Sequence, residues 1–468
     1  MTTFKLLING ELVDGASTLD VINPATGEVY TQAPRADAAQ LEQAVAAAKA
    51  AFPAWSATAL EERRAMLMAL ADKIDAALPQ IAEVLTREQG KPLQDAQGEV
   101  FFAGYSLRLN AALDLAPRTV KEDDNQRVVE HRKPLGVVAA ITPWNFPVML
   151  LMNKVVPALL AGNTLVIKPA PTTPLSTLMI AALCAEVFPA GVVNAIVDQN
   201  DLGGLLSAHP DVAKVSFTGS TATGKKVLSS STDTLKRVTL ELGGNDAALV
   251  LDDVNVQEVA AKIYHAGTYN AGQICVAVKR IYVPAAMYDE FCDALAAQAA
   301  QSVVGDGMEA GTQIGPLQNK MQYDKVRALL EETAKTGKVI AGGAALDRPG
   351  FFIAPTVVRD VTDQDPIVAD EQFAPILPVL SYTDLDDAIA RVNASIYGLA
   401  GSVWSSDPAR AEQVAQRIES GTVWINSHMA LDPEVPFRGA KQSGIGVEQA
   451  REGLLEYTQA RIITVPKS

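Results

Sequence analysis

The chain is 468 residues long, and 48% of its residues are hydrophobic while 20% are charged. This length predicts roughly two or three domains, and the composition excludes a protein that is disordered or fibrous over most of its length. Its 39 basic and 54 acidic residues give a net charge of −15, which disfavours non-specific binding to nucleic acid and to anionic membrane surfaces.

Cysteine and histidine usage restricts the compartment and the metal chemistry. Cys184, Cys275 and Cys292 are widely spaced and include no Cys-x-x-Cys pair, which predicts a reducing, cytoplasmic environment. Residues 1–5 lack a signal-peptide pattern, and no apolar run approaches the length of a membrane span. None of the four histidines has a metal-ligand spacing, so we expect no metal site.

The N-terminal part of the chain is predicted to be mainly helical. A hairpin is expected around Asn9-Gly10, followed by helical periodicity over residues 38–112 with breaks at Pro53 and at Gly90-Lys91-Pro92. Residues 118–133 are charged and rich in β-formers, which is typical of an exposed two-stranded arm. Such arms often pair with another subunit.

From residue 135 the pattern changes to short apolar β-runs separated by helical stretches. This alternation predicts a parallel α/β architecture of successive βαβ units, which bind ligands beyond the carboxyl ends of the strands. Strands are expected at residues 137–141, 164–168, 192–197, 215–217 and 238–240, and helices at 149–160 and 175–187.

A second α/β region is predicted over residues 242–436. Strands are expected at 247–251, 279–283, 378–381 and 422–425, with helices beginning near 256, 287, 320, 384 and 408. No internal repeat or low-complexity linker separates the two regions. We therefore expect them to pack closely, with the functional site in a cleft between them.

Cys275 is the strongest candidate for a reactive group. It follows a small turn with the sequence Asn270-Ala271-Gly272-Gln273-Ile274, whereas Cys184 and Cys292 lie in apolar helices that need only a small hydrophobic residue. A turn leaves a thiol reachable by a substrate, as nucleophilic catalysis requires. A buried structural thiol is the alternative interpretation.

Two further residues would complete such a site. Glu241 ends an apolar strand before two glycines, so burial is expected to raise its pKa and make it a general base; the alternative is a structural glutamate. Asn145 lies in Thr142-Pro143-Trp144-Asn145-Phe146-Pro147, where prolines fix the direction of its amide as an oxyanion donor requires. The alternative is a turn asparagine that bonds its own backbone.

Two motifs are candidates for ligand binding. Lys168 ends a strand where parallel sheets contact ligands, or it is a solvated surface lysine. Residues 217–224, Phe-Thr-Gly-Ser-Thr-Ala-Thr-Gly, join a strand to a helix and either leave amides and hydroxyls for a phosphate or form a plain capped turn. The usual Gly-x-Gly-x-x-Gly fingerprint is missing, and its nearest imitation at residues 305–310 follows a helix and is interpreted as a loop.

In combination, these motifs resemble the aldehyde dehydrogenase superfamily over nearly the whole chain, and specifically its hydrolytic, non-acylating NAD(P)-dependent branch. The resemblance rests on Pro143-Trp144-Asn145-Phe146-Pro147, Lys168-Pro169-Ala170, Phe217-Thr218-Gly219-Ser220-Thr221, Glu241-Leu242-Gly243-Gly244, Gly272-Gln273-Ile274-Cys275, Glu371-Gln372-Phe373-Ala374-Pro375 and Lys441-Gln442-Ser443-Gly444. It implies an α/β fold. A Rossmann-like cofactor domain would comprise residues 1–117 and 136–241, a second α/β catalytic domain residues 242–436, and a small β oligomerisation arm and tail residues 118–135 and 437–468.

The resemblance also implies a mechanism, the oxidation of a small-molecule aldehyde to the acid. Cys275 would form a thiohemiacetal whose oxyanion is held by the Asn145 amide and the Cys275 backbone N–H. After hydride leaves for the nicotinamide, Glu241 would activate the water that hydrolyses the thioester. The implied cofactor-binding residues are Thr142, Trp144, Lys168, Pro171, Gly219, Ser220, Leu242, Gln322, Glu371 and Phe373.

One departure from the family pattern bears on the choice of cofactor. Strict NAD enzymes of the family often carry a glutamate three positions after the lysine, where it repels a 2′-phosphate, and this chain has Pro171 there. Without that carboxylate, charge no longer excludes NADP, and Lys168 can pair with the phosphate. Use of both NAD and NADP is therefore predicted.

The substrate is less defined by the sequence. Succinate semialdehyde enzymes, to which the chain is similar in several motifs, hold the substrate carboxylate with an arginine where this chain has Asn153. Met149, Leu150 and Met152 indicate a mostly apolar entrance, or ordinary core packing. Arg438, which replaces a glycine common in the family, and His428 either supply charge near the entrance or are surface residues.

Three other functions are open to a chain with these motifs. A CoA-acylating aldehyde dehydrogenase typically lacks a base such as Glu241. A cysteine hydrolase would use Cys275 with His265, but the cofactor motifs would then have no purpose. A catalytically silent binding protein is disfavoured by the joint presence of Cys275, Glu241 and Asn145. By resemblance, the arm and a tail strand at 461–465 predict a homodimer or homotetramer.

Overall fold

The computed structural model describes residues 4–467 as alternating strands and helices. The N-terminal region contains β1 (Leu6–Ile8), β2 (Glu11–Val13), β3 (Ser17–Asn23), β4 (Glu28–Arg35), α1 (Ala38–Ala57), α2 (Leu60–Ala76), α3 (Leu78–Gln89) and α4 (Leu93–Ala111). It is followed by β5 (Arg118–Glu122), β6 (Gln126–Pro134), β7 (Val137–Ile141), α5 (Pro147–Ala161), β8 (Thr164–Lys168), α6 (Leu175–Val187), β9 (Val193–Ala195), α7 (Gly203–Ala208), β10 (Val212–Thr218), α8 (Thr221–Ser230) and β11 (Arg237–Glu241).

The second half of the chain repeats this alternation. It contains β12 (Asp246–Val250), α9 (Val256–Thr268), β13 (Val278–Pro284), α10 (Tyr288–Gln301), α11 (Lys320–Thr336), β14 (Lys338–Ala341), β15 (Thr356–Arg359), α12 (Pro366–Ala369), β16 (Ile376–Tyr382), α13 (Leu385–Asn393), β17 (Tyr397–Gly398), β18 (Ala400–Trp404), α14 (Pro408–Ala415) and β19 (Thr422–Ile425). The chain ends with β20 (Ala440–Lys441), β21 (Gly444–Ile445), α15 (Ala450–Leu455) and β22 (Thr458–Pro466).

The N-terminal predictions are confirmed except at one proline. β1 and β2 form the expected hairpin, and Gly90 ends α3 in a left-handed conformation. The break predicted at Pro53 is wrong, because α1 continues through it to Ala57. A proline in a helix interior costs about 3 kcal/mol, but the turn beyond it carries Trp55, which is 2% exposed and packs edge-on against Phe188. Burial of this indole opposes the break.

The first large sheet contains the predicted parallel units. In space its strands run β2-β1-β9-β8-β7-β10-β11-β21, and β7 to β11 are parallel to one another. The chain moves outward from β7 through β8 to β9 and then places β10 on the opposite side of β7. Strand order therefore reverses between β7 and β10, the position at which open α/β sheets bind ligands beyond the carboxyl ends.

Both faces of this sheet are covered. In β7, Val138 and Ala140 pack into one hydrophobic cluster, whereas Val137 and Ala139 pack into another on the opposite face. All four side chains are at most 2% exposed. A continuous apolar run is what a parallel strand buried on both faces requires, and it explains why these strands were predictable.

The second large sheet has the order β14-β15-β16-β13-β12-β18-β19. The strands predicted near residues 247, 279, 378 and 422 correspond to β12, β13, β16 and β19. β15 and β18 were not predicted. The loop interpretation of residues 305–310 is confirmed, because they form turns and irregular structure.

The predicted arm is present and gains a third strand. β5 and β6 pair antiparallel, and β22 from the C-terminal tail pairs with β6 from Thr458 to Pro466. Every residue of β5 is exposed. No helix within residues 4–467 combines the length and the hydrophobicity that crossing a bilayer requires.

Candidate active site

The loop after β7 places Asn145 beside the turn that precedes Cys275. Asn145 is 4% exposed, and its Nδ2 donates a hydrogen bond to the Gln273 carbonyl at 2.9 Å. Its own carbonyl accepts from Lys91 Nζ at 3.0 Å and from Asn270 Nδ2 at 3.1 Å. The side-chain amide of Asn145 is therefore held by contacts with Lys91 and with the turn before Cys275, and not by the neighbouring prolines alone. The second Nδ2 hydrogen has no acceptor among residues 4–467 and stays available for a ligand.

The turn before Cys275 has an uncommon backbone. Asn270, Ala271 and Gly272 have φ angles of 51°, 55° and 68°, a left-handed run that is separated from α9 only by Tyr269. Non-glycine residues seldom adopt this conformation. A Cβ at Gly272 would also collide with the Ala374 carbonyl, so both the conformation and the space require glycine here.

Cys275 lies where two cavities meet. The larger, of about 450 Å³, is lined mainly by apolar and aromatic side chains, which include Phe102, Phe146, Met149, Leu150, Tyr269, Ile274, Met429, Leu431 and Phe437. The smaller, of about 230 Å³, is more polar and continues toward Ser220 and Glu371. Cys275 and Asn145 line both cavities, and Glu241 lines the larger. The structure therefore brings together the three residues predicted for catalysis.

Glu241, at the end of β11, is well suited to act as a base. It is 5% exposed, and neither carboxylate oxygen has a hydrogen-bond partner within residues 4–467. Burial raises its pKa well above the usual value, the nearby Glu448 carboxylate raises it further, and Lys154 acts in the opposite direction. Glu448 and Lys154 form a buried ion pair at 2.7 Å, and Lys154 also donates to Thr218 Oγ1 at 2.7 Å. The sequence did not predict this ion pair.

The Cys275 side chain is partly exposed, but its surroundings disfavour the thiolate. Burial raises the pKa of Cys275 to about 12, the Glu241 and Glu371 carboxylates add to the rise, and Lys279 opposes it. Lys279 Nζ donates to the Ile274 carbonyl at 2.6 Å and so lies against the turn. The thiol is therefore protonated near neutral pH, and a base must take its proton as it attacks.

Seven of the ten predicted cofactor residues line the smaller cavity, namely Trp144, Gly219, Ser220, Leu242, Gln322, Glu371 and Phe373. The Trp144 and Phe373 rings pack edge-on with centroids 5.3 Å apart. Glu371 Oε1 accepts the Gly244 backbone N–H at 3.0 Å. Gln322 Nε2 donates to the Phe373 carbonyl at 3.1 Å, so this amide holds the loop that forms the cavity wall.

The other three predicted cofactor residues line neither cavity. Thr142 directly follows β7, Lys168 ends β8, and Pro171 lies half-buried in the next loop. Lys168 is buried, and its Nζ lies 2.6 Å from Asp198 Oδ1. All three lie along the carboxyl edge of the first sheet, beyond the smaller cavity.

The candidate residues near the entrance differ from one another. His428 lines the larger cavity with a buried side chain; its Nε2 donates to the Val276 carbonyl at 2.8 Å, which holds the segment directly after Cys275. Arg438 is exposed and does not line that cavity. Asn153 does line it. Within residues 4–467, no three His, Cys, Asp or Glu side chains are grouped so that they could hold a metal ion.

Comparisons with known proteins agree with this geometry. Residues 12–463 match the aldehyde dehydrogenase family. The chain is 37% identical over 469 residues to aldehyde dehydrogenase LUC3 of a Fusarium species, and the match covers 100% of this chain and 99% of that protein. The crystal structure of PnpE in complex with nicotinamide adenine dinucleotide has a TM-score of 0.96 and 38% identity, and that of an E. coli NADP-dependent enzyme has a TM-score of 0.96 and 34% identity. Each match covers 99% of this chain and 98% of the solved chain.

These likenesses confirm the predicted fold class, an α/β protein with a Rossmann-like cofactor domain and a catalytic domain. The residue limits of the domains stay a prediction. The chain belongs to the aldehyde dehydrogenase family, whose members oxidise aldehydes to carboxylic acids with NAD or NADP.

Proposed function

We propose that this enzyme oxidises an apolar aldehyde through a thioester on Cys275, with Glu241 as the base and Asn145 as an oxyanion donor. The observation that carries the proposal is the position of Cys275 at the junction of two cavities, with Asn145 lining both and Glu241 lining the larger. One cavity suits the aldehyde and the other the nicotinamide. The reacting carbon and the hydride acceptor would then meet beside the thiol.

The chain's own residues would handle the protons and the developing charge. Cys275 Sγ bonds to the carbonyl carbon as Glu241 takes the thiol proton and then passes it to solvent. The free Nδ2 hydrogen of Asn145 and the Cys275 backbone N–H stabilise the oxyanion. The cofactor, when bound, accepts the hydride from that carbon. Glu241 then takes a proton from water as the water oxygen attacks the thioester. The carbon–sulfur bond breaks, which releases the acid, and the Cys275 sulfur takes up the proton from Glu241 to restore the thiol.

The proposed cofactor path runs from the smaller cavity along the carboxyl edge of the first sheet. Glu371 would hold the nicotinamide ribose beside Cys275. Ser220 caps α8, whose N-terminus suits a pyrophosphate, and Lys168 would lie at the adenosine end. The NAD complex and the NADP-dependent enzyme among the similar structures support use of both cofactors. A preference for NAD beyond about a thousandfold in kcat/KM, roughly 4 kcal/mol, would contradict dual use.

The larger cavity favours an uncharged, apolar aldehyde. Within the described part of the chain, no arginine or lysine lines it, whereas Glu99, Glu241 and Glu448 do. A substrate carboxylate buried there would have no lysine or arginine to pair with, because Lys91 and Lys154 are already paired with Glu99 and Glu448. This arrangement argues against a succinate semialdehyde type of substrate.

An aldehyde panel tests the proposal, with nicotinamide reduction followed for each cofactor. We expect aromatic and medium-chain alkyl aldehydes to exceed succinate semialdehyde in kcat/KM by at least about tenfold, the value of one unpaired buried charge at the low end. Cys275→Ala should abolish activity, whereas Cys184→Ala, which alters a buried thiol of α6, should not. Activity that survives Cys275→Ala would refute the mechanism, and a preference for the carboxylated aldehyde would refute the substrate class.

The same assay addresses the alternatives. With coenzyme A present we expect the free acid as product, because Glu241 can activate water, and formation of an acyl-CoA would favour the acylating alternative. Thioester hydrolysis that needs no nicotinamide cofactor would favour the cysteine hydrolase.

We also propose a homodimer or homotetramer in the cytoplasm. The sheet of β5, β6 and β22 exposes apolar residues, among them Val120 at 49% and Ile462 at 55%. Exposed edges of this kind are normally covered by another chain. The three free cysteines suit a reducing compartment. Sedimentation of the full chain should show an oligomer, and a stable monomer at micromolar concentration would contradict this assembly.

A further inference from the structure

A buried ion pair lies at the carboxyl edge of the first sheet. Lys168 Nζ is 2.6 Å from Asp198 Oδ1, and the side chains are 6% and 0% exposed. Asp198 Oδ2 accepts the Leu202 backbone N–H at 2.9 Å, so both carboxylate oxygens are engaged. The pair is therefore fixed by the fold, unlike a surface ion pair whose partners exchange with water.

The ion pair lies where a dinucleotide that crosses the carboxyl ends of the strands would bind. Strand order reverses between β7 and β10, and β8, which Lys168 ends, is the other neighbour of β7. A ligand that crosses the carboxyl ends of these strands reaches Lys168. Under the proposed function, on which this inference rests, the adenosine ribose lies at that point.

The charges at this edge compensate one another. Asp198 opposes Lys168, and in the same loop Asp201 opposes Arg35 at 2.7 Å. Pro171, three positions after the lysine, adds no charge. A 2′-phosphate carries between one and two negative charges and binds best to cations that are not already neutralised. Ribose hydroxyls require only a donor, and Lys168 retains one N–H beyond those on Asp198 Oδ1 and on the Pro169 carbonyl, which lies 3.4 Å from Nζ.

We propose that Asp198 gives this enzyme a preference for NAD over NADP by pairing with Lys168. Strict NAD enzymes of the family often carry a glutamate where this chain has Pro171. Here Asp198 disfavours the 2′-phosphate instead, because it neutralises the charge of Lys168. Because the Asp198 side chain is 0% exposed and acts through Lys168, it is a positioning residue and not a cofactor contact. NADP is still used, but NAD binds more tightly by about ten- to a hundredfold, the value of one charged hydrogen bond.

The test measures binding without aldehyde turnover. Calorimetric titration of the full chain gives dissociation constants for NAD, NADP, 5′-AMP and 2′,5′-ADP, and each pair differs only by the 2′-phosphate. Wild type should bind the unphosphorylated member of each pair more tightly. Asp198→Asn keeps an acceptor for the Leu202 N–H and should shift the NAD-to-NADP ratio toward NADP by at least about tenfold. As a control, Asp211→Asn removes a carboxylate that is paired with Lys49 just before β10, at the opposite edge of the sheet, and should leave the ratio unchanged.

Several results would overturn the inference. The first is equal binding of NAD and NADP by wild type. The second is an NAD-to-NADP ratio in Asp198→Asn that is the same as in wild type. If that variant binds both cofactors equally more weakly, the Lys168–Asp198 pair is merely structural. Thermal unfolding shows whether Asp198→Asn is folded, and Asp198→Ser replaces it if it is not; the wild-type ratio is decisive in either case. An enzyme that binds neither cofactor contradicts the proposed function itself, a distinct result.

Discussion

Replacement of Glu241 by glutamine would remove the proposed base with little change in shape. The side chain is 5% exposed, and neither carboxylate oxygen has a hydrogen-bond partner within residues 4–467, so glutamine breaks no contact made by the carboxylate. Glutamine also has the shape of the protonated carboxyl group, which burial favours. We therefore expect Glu241→Gln to fold like wild type.

The expected loss lies in hydrolysis of the thioester. A positioned general base contributes about 10²–10⁴-fold, so the barrier to this step should rise by about 3–5 kcal/mol and kcat should fall accordingly. The thioester forms before water is needed, so stopped-flow spectroscopy should still show a first turnover of nearly one reduced nicotinamide per active site. The amplitude of this burst is compared, and not its rate. If Glu241 also takes the thiol proton, the burst becomes slower, but the amplitude persists as long as hydrolysis is slower still.

Two results would refute this reasoning. A kcat within about threefold of wild type would show that Glu241 is not the base, and loss of the burst amplitude would place its main role before the thioester.

The pH dependence of folding stability gives an independent check on the pKa of Glu241. Because the folded-state pKa of Glu241 is raised, its ionisation costs stability as pH rises from the unfolded-state value through the folded-state value. Over that range wild type should lose stability relative to Glu241→Gln in thermal unfolding.

Other perturbations follow from the same site. Glu448→Gln removes a negative charge near Glu241 and leaves Lys154 without its carboxylate partner, and both changes lower the pKa of Glu241. The acid limb of the kcat–pH profile should therefore move to lower pH. A move to higher pH would contradict the coupling between Glu448 and Glu241. In the cofactor-free enzyme, the rate of Cys275 alkylation by iodoacetamide should rise about tenfold per pH unit from pH 7 to 9, because the pKa of this thiol is about 12. A plateau of the rate in that range would contradict a protonated thiol. Cys275→Ala gives the background rate of alkylation at the other cysteines. Gly272→Ala should destabilise the fold by at least about 1–3 kcal/mol in chemical denaturation, because φ is 68° and a Cβ would strike a neighbouring carbonyl; unchanged stability would show that the turn can relax.

The strands that could be predicted are those with long apolar runs. β7 and β8 have the predicted bounds, because a parallel strand buried on both faces needs continuous hydrophobic residues. β18 was missed because Ala-Gly-Ser-Val-Trp contains small residues with little β-propensity. Its position between β12 and β19 makes it a strand, and that position is a property of the whole sheet.

The residues of the site were predictable one by one, but their buried partners were not. Cys275, Glu241 and Asn145 carry local signals, namely a turn, a strand end and a proline-bounded loop. The ion pair of Lys154 with Glu448 joins residues 294 positions apart, and no local pattern links them. Buried charges of this kind set the pKa of Glu241 and, in the proposal above, the preference for NAD over NADP. These properties therefore depend on the fold and cannot be deduced from the motifs.

The turn before Cys275 shows how such partners act on catalysis. Two consecutive non-glycine residues in the left-handed region, Asn270 and Ala271, cost about 1–3 kcal/mol each, so the turn needs support from outside. Gln89 donates to Asn270 Oδ1 at 3.1 Å, and Asn270 donates to the Asn145 carbonyl at 3.1 Å. The nucleophile's turn and the oxyanion donor are therefore one hydrogen-bonded unit. A change at Gln89 should disturb both of them together, although it lies far from either in sequence.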